Sequence, residues 1–94
     1  MKFIKNYKDI IINCDAIQKI IVSKYLLKSR DNEEIWFVRA CYTDGSSYDN
    51  LHNDLPNEEV ACLLRDAIVD RILSSKTDGT MIDVNEIYSH ITSN

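Results

Sequence analysis

The chain predicts an α+β fold: an antiparallel β-meander of three to four strands packed by one long helix, with a short C-terminal helix. Three observations predict it. Residues 56–75, PNEEVACLLRDAIVDRILSS, place apolar side chains at helical spacing. Residues 3–55 carry β-branched and aromatic runs separated by turn formers. Residues 81–91 carry a capping residue followed by an i, i+3, i+4, i+7 apolar stripe.

Phe3 to Asn13 reads as an opening strand or a bent strand pair, with Ile10, Ile11 and Ile12 as its β-branched run. Cys14 to Ala16 is a short break in which Asp15 is a turn residue. Ile17 to Leu27 is a strand apolar on both faces, with Ile21, Tyr25 and Leu27 on one and Ile20, Val22 and Leu26 on the other. Such a strand is either central and covered twice, or covered by the helix on one side and a second subunit on the other. Lys28 to Glu34 is a polar connection. Ile35 to Thr43 is the next strand, and Asp44-Gly45 supplies the residues of a two-residue type I′ hairpin, pairing Tyr42 with Ser47, Cys41 with Tyr48 and Arg39 with Asn50. Ser46 to Leu51 follows as a short polar edge strand.

In the long helix, Val60, Leu63, Leu64, Ala67, Ile68 and Ile72 project onto one arc, with Ala61 at its edge, which is wide enough to face a sheet. Cys62, Val69 and Leu73 form a second stripe flanked by Glu59, Asp66 and Asp70, a feature that a monomer's surface helix does not need. Asp54, Leu55 or Asn57 is the N-cap, Glu58 and Glu59 complement the dipole, and residues 76–80 with Gly79 end the helix. In the tail, Asp83 caps, Glu86 follows three residues on, and Ile82 is placed to staple against Ile87. Val84, Ile87, Tyr88 and Ile91 make a stripe too short to be stable undocked. IINCDAIQKI at 11–20 faintly echoes MIDVNEIYSHI at 81–91.

The 94 residues read as one domain, 1–94, of ordinary globular composition, with 45% hydrophobic and 28% charged residues. The longest apolar run, Val60 to Leu64, is too short to span a bilayer, and Lys2, Lys5, Lys8 and Asp9 interrupt any signal-peptide core. Richness in Ile, Asn and Lys fits an AT-rich bacterial genome, so a cytoplasmic bacterial protein is expected. Cys14, Cys41 and Cys62 are odd in number and lack a CxxC pair, which points to reduced thiols in small apolar roles. Residues 1–30 carry seven basic side chains against two acidic ones, whereas the remaining 64 carry four against thirteen. Basic early strands are therefore expected to neutralise acidic later elements within the fold or across a dimer.

No residue pattern carries a catalytic mechanism, and no cofactor or metal is expected. Asp49, His52 and Asp54 have ligand chemistry but no ligand spacing; in a loop they are turn formers and caps. DGTMIDVNEI at 78–87 fails as a calcium loop because Lys76 falls where a carboxylate must coordinate. Gly45 and Gly79 alone make no phosphate loop. Lys19, Lys24, Lys28 and Arg30 beside Tyr25 and Trp36 are the chemistry of a single-strand nucleic-acid face, opposed by a net charge of −4.

Residues 35–68 resemble the strand, hairpin, loop and helix of transcriptional-coactivator-type single-strand DNA-binding proteins. That resemblance implies a four-stranded meander and a helix-mediated dimer, although the chain lacks their Gly-Lys-Gly and has a polar, acidic fourth strand. Ile11, Ile12, Asn13, Ile17 and Ile20, then Asp44-Gly45, then Glu58 and Glu59 before an apolar stripe are similar to short, uncharacterised bacterial proteins, and this implies a strand meander with a packed helix. The function expected is a non-enzymatic interaction module acting as a homodimer, with Cys62, Val69, Leu73, Ile21 and Tyr25 as candidate contacts. The alternative is a single-strand nucleic-acid-binding dimer using Lys19, Lys24, Tyr25, Lys28, Arg30 and Trp36.

Overall fold

The computed structural model describes residues 2–74 and 79–93. The fold is α+β, with two three-stranded sheets and two helices. The small sheet joins β1 (Phe3–Lys5), β2 (Ile11–Asn13) and β6 (Met81–Asp83) in the order β2-β1-β6. The main sheet is a meander of β3 (Ile17–Leu27), β4 (Glu33–Tyr42) and β5 (Tyr48–Leu55). Helix α1 spans Glu58–Leu73 and α2 spans Val84–Thr92.

The opening segment is thus a strand pair, and it does not extend the meander. β1 runs antiparallel to β2 and parallel to β6, so Ile12, Ile4 and Ile82 form one buried row across three chain segments. The echo between 11–20 and 81–91 has a structural counterpart. Each copy is a short strand beside β1 that ends on a side-chain cap and turns into a helix. Asn13 accepts the Asp15 amide at the head of a 3-10 turn over Cys14–Ala16, and Asp83 accepts the Asn85 and Glu86 amides at the head of α2. Ile82 and Ile87 flank that second cap and are both buried, as a staple requires.

The hairpin register is the expected one, Cys41 opposite Tyr48 and Arg39 opposite Asn50, but its tip differs. Only Gly45 has positive φ there, at 82°. Asp44 accepts the Ser46 and Ser47 amides, which holds it right-handed and makes a longer loop closed by the Tyr42 amide on the Ser47 carbonyl. Two consecutive left-handed residues occur instead at Asp31 and Asn32, φ 54° and 62°, between β3 and β4. Asp and Asn tolerate that region because their short side chains bond locally.

Helix α1 is capped by Asn57, whose side chain accepts the Val60 amide. Its fully buried residues, Ala61, Leu64 and Ile68, centre between the two expected stripes, a rotation of about 50° from the predicted arc at 100° per residue. Leu63 is consequently 51% exposed, while Cys62 and Val69 are half-buried and Arg71 is exposed. The rotation follows from what the helix meets: it packs on the main sheet and also on α2. Most of the helix stop read at 76–80 lies outside the described residues; Gly79 has φ 80°.

One continuous core unites Ile4, Ile12, Val38, Ala40, Leu51, Leu55, Ala61, Leu64, Ile68, Ile82, Val84 and Ile87. It contains even-numbered residues of β4, so both helices and the small sheet cover the same face of the main sheet.

Candidate self-association surface

The other face of the main sheet is built by the odd-numbered residues of β3 and β4. Register places Ile21 opposite Arg39, Ser23 opposite Phe37, Tyr25 opposite Ile35 and Leu27 opposite Glu33. No described helix packs on this face. Its side chains shield one another: Tyr25 meets the Phe37 ring at 6.0 Å, and the Arg39 guanidinium lies over the rings of Phe37 and Tyr48 at 4.5 and 3.9 Å. Arg39 is fixed there by its Nε donating to Asn50 Oδ1 at 2.9 Å. This leaves Ile35 and Phe37 buried while Tyr25 stays 41% exposed. Asn53 Nδ2 lies 3.5 Å from the Tyr25 hydroxyl while its Oδ1 is buried without a hydrogen-bond partner among the described residues. Turning the amide over would let Tyr25 donate to that oxygen.

The two edges of the sheet are treated differently. Along β5, Asn6 Nδ2 donates to the Asn50 carbonyl at 3.0 Å and the Tyr7 amide donates to the Leu51 carbonyl at 3.1 Å. Asn6 is only 2% exposed, and its Oδ1 accepts the Lys8 and Ile10 amides, so one buried side chain closes the β1–β2 turn and docks it on β5. Along β3, no described strand pairs with the outer edge. Tyr42 sends its amide to β5 and Thr43 sends its amide to Ala16, so odd-numbered β4 residues bond toward β3. Odd-numbered β3 residues answer them, and Ile20, Val22, Lys24 and Leu26 are left with outward N–H and C=O groups. At about 3.4 Å per residue this edge is about 37 Å long.

Of the residues singled out in the sequence, Ile21, Tyr25 and Lys19 fall on the helix-free face, whereas Cys62, Val69 and Leu73 lie on α1, across the sheet. These do not form one surface. Val69 and Leu73 border a shallow groove with Cys14, Ile17 and Ile20, and Leu73 is 77% exposed. The basic and aromatic set is likewise divided. Lys24 and Trp36 share the helix side, where Lys24 Nζ sits 5.3 Å from the Trp36 ring and 2.7 Å from Glu34. Tyr25 faces the other way. Arg30 pairs with Asp54 at 3.3 Å and Glu33 at 3.9 Å, and Lys28 is exposed.

The basic third is drawn into the fold: Lys5 reaches Asp83 at 3.3 Å, and Lys2 Nζ donates to the Ile72 and Ser74 carbonyls at the end of α1. Asp49, His52 and Asp54 separate. Asp49 accepts the Tyr42 hydroxyl at 2.5 Å, and Asp54 faces Arg30. The His52 ring lies between Tyr7 (5.5 Å) and Tyr88 (4.4 Å), joining the β1–β2 turn, β5 and α2. Its Nδ1 lies 2.9 Å from the Asn53 amide, from which it accepts in the neutral ring, and 2.8 Å from the Asn53 carbonyl, to which it donates when protonated. Burial lowers its pKa from 6.5, against the raising effects of the Asn53 backbone and Asp54. Among the described residues no group of three His, Cys, Asp or Glu side chains is placed to hold a metal ion, and no helix is long and apolar enough to cross a membrane. Sequence reading missed Asn6, because Asn50, the partner that docks it on β5, lies 44 residues away.

Comparison with protein-family models, curated proteins and solved structures returned no match. The order β3-β4-β5 is one strand shorter than the meander that the coactivator-type resemblance implies.

Proposed function

We propose that the protein is a non-enzymatic interaction module that works as a homodimer, joined edge to edge through β3 into a six-stranded antiparallel sheet. The observation that carries this reading is the bare β3 edge. A two-fold axis perpendicular to the sheet keeps both helix layers on one side and requires facing residues to share a face, so only registers that pair odd with odd and even with even residues are allowed. Centring the axis on Ser23 sets Ile21 against Tyr25, Ile20 against Leu26, Val22 against Lys24 and Lys19 against Leu27 of the second copy. No like charges meet, and an aromatic residue faces a β-branched one twice. Centring on Lys24 would oppose two lysines, and centring on Val22 sets Lys24 against Ile20 and Lys19 against Tyr25. In the Ser23 register the outward groups of Ile20, Val22, Lys24 and Leu26 all gain partners, and Leu26, 57% exposed in the single chain, is covered.

Sedimentation at micromolar concentration tests the reading. A species of twice the 10.9 kDa chain mass is expected, and a single 10.9 kDa species would refute it.

A further inference from the structure

A cleft of about 500 Å³ separates β2 from the β4–β5 hairpin. One wall is Ile10 to Asn13 with Ala16; the other is Tyr42, Thr43, Asp44, Ser47 and Asp49. The first wall is a second free strand edge. Asn6 donates to the Ile10 carbonyl and Cys14 donates to the Lys2 carbonyl, so even-numbered β2 residues bond β1. Ile11 and Asn13 therefore turn their N–H and C=O groups away from β1, on the side where no described strand adjoins the order β2-β1-β6. Beside them Ile10 and Ile11 are 46% and 59% exposed.

The second wall is anionic. Asp44 takes both hairpin amides on Oδ1, and the Ser47 side chain first, then the Ser47 and Ser46 amides, hold its carboxyl below the usual range. Asp49 takes the Tyr42 hydroxyl on Oδ2. Burial, then the bond to Asp49 and its charge, push the Tyr42 phenol well up, so it remains a donor to Asp49. Among the described residues no hydrogen bond engages the Oδ1 of Asp49, which is left for another donor. No lysine or arginine lines the cleft, and neither carboxylate has an ion-pair partner among the described residues.

We infer that the cleft receives an extended segment of a partner protein that pairs with Ile11 and Asn13 as an added strand, covers Ile10 and Ile11, and places a lysine or arginine against Asp49 and Asp44. Strand addition supplies backbone bonds, and alternate side chains supply selectivity. Charge complementarity selects the basic segment: a like-charged strand would meet two unpaired carboxylates, and nucleic acid would bring phosphates to the same wall. The inference is independent of dimerisation, because β2 and β3 are different edges.

The probe is a capped seven-residue peptide of alternating threonine and valine with one central lysine, titrated into the ¹⁵N-labelled full chain. Saturable shifts at the amides of Ile11, Asn13 and Asp49 are expected. Affinity should fall about tenfold, the equivalent of 1.4 kcal/mol, for the same peptide with glutamate at its centre, for a form N-methylated along its pairing side, and for the chain carrying Asp49→Asn, which keeps an acceptor for Tyr42. The inference is overturned if millimolar peptide moves none of these amides, if the glutamate peptide binds equally well, or if the shifts map to β3. Shifts of the Ile11 and Asn13 amides on dilution without peptide would identify a second copy as the occupant and overturn it equally.

Discussion

The two edges of the main sheet face the same problem and meet it in opposite ways. Along β5 the outward carbonyls of Asn50 and Leu51 are taken by Asn6 and Tyr7 of the β1–β2 turn. Along β3 the outward groups of Ile20, Val22, Lys24 and Leu26 have no such cover among the described residues, although the flanking side chains are mostly apolar. Natural sheets usually blunt an open edge with lysines, bulges or short strands. β3 has Lys19, Lys24 and a register shift between Ile17 and Lys19, yet it is eleven residues long. Those devices fall where they forbid the register centred on Lys24 and permit the one centred on Ser23. The contrast separates an edge closed within the chain from an edge open among the described residues, on which the proposed dimer rests.

The largest expected effect comes from breaking the closed edge. Asn6→Ala removes two acceptor bonds and one donor bond from a buried position and should cost about 3 kcal/mol, at about 1 kcal/mol per bond lost. Thermal melting should shift down by roughly 15 °C for a chain of this size. A Tm within 3 °C of wild type would mean that β5 needs no such cover. Lys24→Pro acts on the open edge. It deletes an outward N–H without touching the β4 ladder, because Lys24 is even-numbered, and Pro is tolerated on edge strands. Two symmetry-related bonds are lost, so dimerisation should weaken by roughly thirtyfold while far-UV circular dichroism stays unchanged; unaltered association would remove β3 from the interface.

The smallest effect concerns the joint behind the closed edge. His52 has a pKa lowered by burial, so the unfolded chain takes up the proton first. Its contribution to stability is complete above pH 6.5 and is lost as the pH falls below that value through the folded-state pKa. His52→Phe, which keeps an aromatic ring between Tyr7 and Tyr88, should flatten the urea midpoint between pH 6.5 and pH 5 relative to wild type. Parallel curves for the two proteins would show that His52 does not sense pH in this range.

What the sequence disclosed, and what it hid, divides along the same line. β3 was legible to its last residue because turn formers bound its β-branched run, and α2 was legible because Asp83, Ile82 and Ile87 form a local cap and staple. The Cys41–Tyr48 register was also readable, even though Asp44 reshapes the loop tip with its own carboxylate. β6 was not legible: it is three residues long and pairs with β1 across 78 positions, so no local period announces it. Asn6 reads as one more polar residue in a loop until Asn50 is brought to it. The predicted arc of α1 meets the core at Val60, Ala61, Leu64, Ala67, Ile68 and Ile72 and departs from it at Leu63, because a projection of the helix alone does not contain α2. The candidate contacts of β3 and of α1 belong to opposite sides of the main sheet. Ile21 and Tyr25 remain beside the open edge, and Cys62 and Val69 are drawn partly inward.

The β3 edge is tested most directly by a cross-link at its proposed centre. In the Ser23 register that residue faces its own copy in a non-hydrogen-bonded pair, with Cα atoms about 4.5 Å apart, inside the range that a disulfide spans. Ser23→Cys protein, oxidised and separated without reductant, should form a covalent dimer whose mapped peptides join position 23 to position 23. The same protein remaining monomeric under oxidant, or cross-linking only through Cys14, Cys41 or Cys62, would contradict the edge-to-edge assembly.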